Sequence, residues 1–193
     1  GGGLQLSTSG AFQFNSKALR MPELMRASPL GREARTVNMI QLGQALTTLG
    51  DRPADGPPVK ALFVYNSNPA AVAPNQTDVL RGMRRDDLFT VVHEQFFTDT
   101  ADYADILLPA ATFLETKDVQ GAYGHYFAQL SQQAIAPLGE ARNNVTLFSA
   151  LAQRMGFTEP CFRDNEDALI EQALNTDHPW HKGITHERLE REG

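Results

Sequence analysis

A mostly parallel α/β domain is predicted by two features of this sequence. One is a pair of near-continuous apolar runs of strand length, and the other is the set of turn formers and amphipathic helices between them. The first run is Val59-Lys60-Ala61-Leu62-Phe63-Val64-Tyr65; the second, Leu88-Phe89-Thr90-Val91-Val92, ends in His93-Glu94. Runs without polar alternation suit strands covered on both faces, as in sheets whose crossovers are helices. Asn66-Ser67-Asn68-Pro69 closes the first run with turn formers, and beyond Pro74 the segment 75–85 places Val79, Leu80 and Met83 on one helical face. Residues 98–104 read as a short helix leading into Asp105-Ile106-Leu107-Leu108-Pro109. Strand and helix thus alternate as parallel α/β architecture requires.

The flanking segments differ in character. Residues 1–35 open on Gly1-Gly2-Gly3 and contain Pro22 and Pro29, a loop-like stretch with little periodicity. From Thr36 to Leu49, Val37, Ile40, Leu42, Leu46 and Leu49 fit a helix that Gly50 can stop. Asp51–Pro58 packs three prolines and a glycine into a connector, which marks a boundary. Beyond residue 110, glycines at 121, 124 and 139 interrupt the pattern, and Tyr126–Leu130 reads as a short edge strand. Asn143 or Asn144 can cap a helix whose apolar face is Val145, Leu147, Phe148, Leu151, Ala152 and Met155, closed by Gly156. Two short amphipathic helices follow, at 166–174 and 185–192. The resulting division is 1–56, loop-rich and helical; 57–160, the α/β domain; and 161–193, a helical segment.

Composition narrows the function. The chain has 193 residues, 41% hydrophobic, with 17 basic and 23 acidic side chains for a net charge of −6. This balance and the lack of a Lys/Arg-rich block argue against nucleic acid as a partner. A single cysteine, Cys161, supplies neither an internal disulfide nor a metal cluster of its own. No apolar run reaches membrane-span length and no signal-peptide pattern opens the chain, so the expectation is a soluble cytoplasmic protein without a membrane span. Because it begins on Gly1, it reads as a segment of something longer.

Ligands of doubly wound sheets sit outside the carboxyl ends of the strands. Here those ends carry Asn66-Ser67-Asn68-Pro69 and His93-Glu94. Small polar side chains after the first strand can bond a phosphate or sugar, and an acid ending the second can accept from vicinal ribose hydroxyls. The alternative is an ordinary asparagine turn and a solvated acid. Neither G-x-G-x-x-G nor G-x-x-x-x-G-K-[ST] occurs, which disfavours nicotinamide dinucleotides and ordinary nucleoside triphosphates. His178, His181 and His186 are too irregularly spaced to share one helical face, so no metal site is assigned. Glu115 and Asp118 read as a charged loop flanking Lys117, and Ser7, Ser9 and Cys161 lack an activating context, so no catalytic residue is assigned either.

Several motifs together carry a resemblance. They are Leu62–Pro69, the run Phe89-Thr90-Val91-Val92-His93-Glu94-Gln95-Phe96-Phe97-Thr98-Asp99-Thr100-Ala101, then Ala104–Glu115, and Pro137–Asn144 leading into Leu151–Phe157. The stretch 59–157 resembles the molybdopterin oxidoreductases of the dimethyl sulfoxide reductase family, which include formate dehydrogenases and nitrate reductases and bind two molybdopterin guanine dinucleotides. The resemblance implies a three-layer Rossmann-like sandwich. It also implies that this domain holds the guanosine and phosphate end of one dinucleotide, through Asn68, His93, Glu94, Thr116 and Asn144. Two of these depart from the pattern: Thr116 stands where many members have Lys, and Asn144 where many have Asp. Thr116 brings no charge to a phosphate, and Asn144 offers one carbonyl instead of a two-oxygen acceptor.

The resemblance further implies molybdenum or tungsten in the whole enzyme, a 4Fe-4S cluster in an upstream part, a downstream domain that clamps both pterins, and an electron-transfer subunit as partner. On this reading the segment binds cofactor and is not catalytic alone. The alternative is a cofactor-free structural or interaction domain of the same fold, as in the large iron–sulfur subunit of respiratory NADH dehydrogenases. An independent flavodoxin-like enzyme ranks last, since no flavin loop is apparent.

Overall fold

The computed structural model describes residues 14–16, 19, 21, 34–50, 56–121 and 126–192, so the expectations for residues 1–13, for Pro22 and Pro29, and for 51–55 lie outside the described residues. The chain divides into two compact units, residues 34–110 and residues 1–33 with 111–193. This grouping differs from the division at 56/57 and 160/161 expected from composition. The helix before the proline-rich connector packs with the helix that joins the first two strands, and the chain changes unit just after its third strand.

The 34–110 unit begins with a 3-10 turn, Met39–Gln41, running into α1 (Leu42–Thr48). The Asn38 side chain starts that turn by accepting the Ile40 N–H at 3.1 Å, so helical geometry begins later than the apolar spacing suggested. Then come β1 (Ala61–Tyr65), α2 (Pro69–Val72), α3 (Gln76–Met83), β2 (Phe89–Glu94), a 3-10 turn at Ala101–Tyr103, and β3 (Ile106–Pro109). The strands lie in the order β1-β2-β3, all parallel, with Val64 beside Val92 and Val92 beside Leu107. This is the α/β class that the two apolar runs predicted. Asn66, at φ 51°, takes the left-handed conformation that ends β1.

The core follows from the pleat. Leu46 of α1, Val79 and Met83 of α3, Ala70 and Leu88 form its buried cluster, and Leu62 of β1 packs against it. Residues two apart in a strand share a face, so Phe63 and Tyr65 lie on the opposite side, where their rings meet edge-on. That side is only partly covered: Tyr65 and Phe89 are about half exposed. The two-sided burial expected for the first run is therefore met on one face only.

Helices α1 and α3 approach so closely that glycine is needed at both contact points. A Cβ on Gly43 would stand 2.8 Å from the Asp78 Cβ, and one on Gly82 would overlap Leu46. The second unit contains a 3-10 turn at Phe113–Glu115, an antiparallel pair β4 (Asp118–Gln120) and β5 (Gln129–Ser131), and helices α4 (Asn144–Arg154), α5 (Glu166–Leu174) and α6 (His186–Glu192). The edge strand expected at 126–130 overlaps β5 only at Gln129 and Leu130, and β4 was not anticipated. Asn143, not Asn144, caps α4 by accepting the Thr146 N–H at 2.8 Å, and of the predicted apolar face only Ala152 is buried. No described helix is long and apolar enough to cross a membrane.

The crowding at Gly82 yields a stability prediction. Gly82→Ala should lower unfolding free energy by about 1–3 kcal/mol through overpacking against Leu46, despite the better helix propensity of alanine. Urea denaturation monitored by circular dichroism measures it.

Candidate functional site

Three of the five predicted residues, Asn68, His93 and Glu94, lie at the carboxyl ends of β1 and β2 in one unit, while Thr116 and Asn144 lie in the other. At the β1 end, Asn68 is engaged with the loop that leaves β2. Its Oδ1 accepts the Thr100 hydroxyl at 2.7 Å and the Thr100 N–H at 3.2 Å, and its Nδ2 donates to Asp99 at 3.1 Å. The fully buried Thr100 Oγ1 also accepts the Ala70 N–H at 3.0 Å. The four residues of α2 begin on Pro69, which has no N–H, and the N–H groups of Ala70, Ala71 and Val72 are bonded to Thr100 and the Asn68 carbonyl. No N–H of α2 is left free for an anion.

At the β2 end the chemistry is different. His93 sits between Tyr65 and Leu108 in register and is 1% exposed. Its Nδ1 lies 3.2 Å from the Leu108 carbonyl oxygen, which only accepts, so Nδ1 carries the hydrogen. In the neutral ring Nε2 is then an acceptor, and it is buried without a hydrogen-bond partner. The Thr98 hydroxyl, in the loop that follows, is in the same condition. Glu94 uses one oxygen to accept the Gln95 N–H at 2.7 Å, which leaves acceptor capacity on the other. It borders a cavity of about 290 Å³ with Gln95, Phe96, Phe97, Leu107 and Pro109, where Phe96 and Phe97 stand largely exposed.

In the second unit, Thr116 follows the Phe113–Glu115 turn, and its hydroxyl donates to the Thr112 carbonyl at 3.4 Å. Asn144 is the first helical residue of α4. Neighbouring Glu115, read from sequence as part of a charged loop, is buried and completes a capping box with Thr112. It accepts from the Thr112 N–H and, through its other oxygen, from the Leu138 N–H, each at 2.7 Å. These backbone donors hold its carboxyl below the usual glutamate value. The signal was present in Thr112-Phe113-Leu114-Glu115, which has the T-x-x-E spacing of that motif. Asp118, by contrast, turns to its own backbone at Val119, so the two carboxylates do not form a catalytic pair.

The three histidines near the C-terminus do not form one group. His178 and His181 meet ring to ring, whereas His186 joins Asp167 and Glu190, its Nε2 lying 3.6 and 3.4 Å from their carboxylates. The Lys117 ammonium already bridges those acids at 2.7 and 2.6 Å, so a fixed cation occupies the position a metal would take. Cys161 is a free, half-buried thiol.

Comparison with known proteins decides the family. The molybdopterin oxidoreductase family model matches residues 12–154. The chain belongs to the molybdopterin oxidoreductase family. It is 44% identical over 179 residues to the probable oxidoreductase YoaE of Bacillus subtilis, an alignment covering 93% of this chain and 25% of that protein. To the F420-dependent formate dehydrogenase subunit alpha of Methanocaldococcus jannaschii it is 32% identical over 138 residues, covering 72% of this chain and 20% of that one. Among solved structures, acetylene hydratase from Pelobacter acetylenicus superposes with a TM-score of 0.63 at 31% identity, over 82% of this chain and 20% of the other. The chain thus spans about a quarter or less of the length of these relatives.

Two outcomes follow for this molybdopterin oxidoreductase segment. Thr100→Val, which keeps the shape but removes the hydroxyl, should cost about 1–3 kcal/mol in denaturant unfolding, because the Ala70 N–H loses its buried acceptor. The lowered pKa of Glu115 stabilises the fold above the ordinary value of 4.5, and the contribution is lost as pH falls through the lowered value. Glu115→Gln should therefore flatten the acid limb of a plot of melting temperature against pH; an unchanged limb would count against this role.

Proposed function

We propose that this segment binds the guanosine and phosphate end of one molybdopterin guanine dinucleotide within a larger molybdenum or tungsten oxidoreductase. The residues assigned to this role are Asn68, His93, Glu94, Thr116 and Asn144. The observation that carries the reading is the buried, partnerless Nε2 of His93 at the end of β2, where the next residue, Glu94, keeps acceptor capacity on one oxygen. A buried acceptor without a donor is costly, and a nucleoside supplies hydroxyl and amino donors of the kind both groups lack. The residues present therefore fit the nucleoside end of the cofactor. When bound, the metal–pterin centre supplies the electron-transfer or metal-centred chemistry of the enzyme. This chain's residues bind and orient it: Glu94 accepts from ribose hydroxyls, His93 accepts at Nε2, and Asn144 offers one carbonyl acceptor.

Catalysis, on this reading, belongs to the whole enzyme, with this segment inactive by itself. An iron–sulfur cluster, the metal ligand and an electron-transfer partner are assigned to the remainder of the enzyme, and the cytoplasm to its location. A second reading, a cofactor-free domain of the same fold, draws on Thr116, whose hydroxyl turns back to Thr112 and whose type brings no cation to a phosphate.

The test is metal and nucleotide content of the full-length protein. Glu94→Gln should reduce bound cofactor about tenfold, as expected for loss of a charge-assisted acceptor, with the melting temperature of cofactor-free protein unchanged. A wild-type protein free of both metal and guanine nucleotide would instead favour the second reading.

A further inference from the structure

Between Lys60 and Arg81, and again between Arg85 and Lys117, the chain contains no lysine or arginine. The loops that leave β1, β2 and β3 fall within those stretches, so the carboxyl end of the sheet has no cation from its own loops. The charged groups there are carboxylates, Glu94 and Asp99, and the buried Nε2 of His93 has no hydrogen-bond partner. Phosphate is an anion with acceptor oxygens, and such a surface repels it; a group rich in O–H and N–H donors suits it.

The hydrogen bonds around Asn68 show which side chains are available. Both contacts to its Oδ1 come from Thr100, and its Nδ2 holds one carboxylate oxygen of Asp99 at 3.1 Å. Asn68 is left with one amide hydrogen, whereas the exposed Asp99 carboxylate is gripped at only one of its oxygens. A carboxylate fixed at one oxygen and open at the other is oriented for a ligand before the ligand arrives.

We propose that Asp99 is a second ligand-contacting carboxylate of this strand end, alongside Glu94, that Asn68 acts chiefly as the residue positioning it, and that the pair selects the nucleoside end of the cofactor over its phosphates. The inference rests on the nucleotide-binding reading above. Asp99 accepts from ribose hydroxyls or from guanine N–H groups, and the pyrophosphate is held away from these loops.

Two variants of the full-length enzyme separate ligand contact from loop bracing. Asp99→Asn keeps a carbonyl that can accept from Asn68, so the loops stay joined while the charge is lost. The exchanged pair, Asn68→Asp with Asp99→Asn, keeps one carboxylate and one amide in contact but moves the charge to position 68. Guanosine monophosphate released by acid and metal, each counted per polypeptide, are the readouts, with melting temperature as the control for folding. Asp99→Asn should lower both contents about fivefold or more with little change in melting temperature, and the exchanged pair should stay low. Full occupancy in Asp99→Asn, or recovery in the exchanged pair, overturns the role of Asp99. Absence of guanine nucleotide from the wild-type enzyme overturns the nucleotide-binding reading itself, a result distinct from either.

Discussion

The buried hydroxyl of Thr100 holds the carboxyl end of the sheet together. It donates to Asn68 and accepts from Ala70, joining the loop that leaves β1 to the loop that leaves β2 across 32 and 30 residues of sequence. Parallel strands place such loops side by side, but loops alone have no ladder to fix them. A hydroxyl with no exposure to water has no solvent to fall back on, so both of its bonds must be made in the fold. Asn68, Asp99 and the first turn of α2 take their positions from that one group.

Behind this end, the close crossing of α1 and α3 sets the depth of the core. Gly43 and Gly82 let the two backbones meet, which brings Leu46 against Val79 and Met83 and covers one face of the sheet. The second unit uses another device. Lys117, beside β4, ties together Asp167 of α5 and Glu190 of α6, and lowers the pKa of both carboxyls through hydrogen bonding. Glu115 joins the Phe113–Glu115 turn to Leu138 in the same way, with backbone N–H groups in place of an ammonium. Buried apolar packing positions the first unit, and charge-assisted bonds brace the second.

The strand end itself is chemically one-sided. Glu94 and Asp99 lie at or just beyond the end of β2, and neither lysine nor arginine occurs in the loops that leave the three strands. The chain belongs to the molybdopterin oxidoreductase family, and the proposed nucleotide ligand has both donor-rich and anionic parts.

The sequence by itself determined the parallel strands, the helices at 76–83, 144–154 and 166–174, and the positions of Asn68, His93 and Glu94 at strand ends, because strand-length apolar runs and caps are local signals. Even the Glu115 capping box was written in four consecutive residues. Tertiary structure alone decided that Asn68 is bound to Thr100 and Asp99, that His93 has a buried nitrogen without a partner, and that Lys117 lies between α5 and α6. Each of these depends on groups brought together by chain folding from positions 15 to 73 residues apart, a separation over which periodicity carries no information.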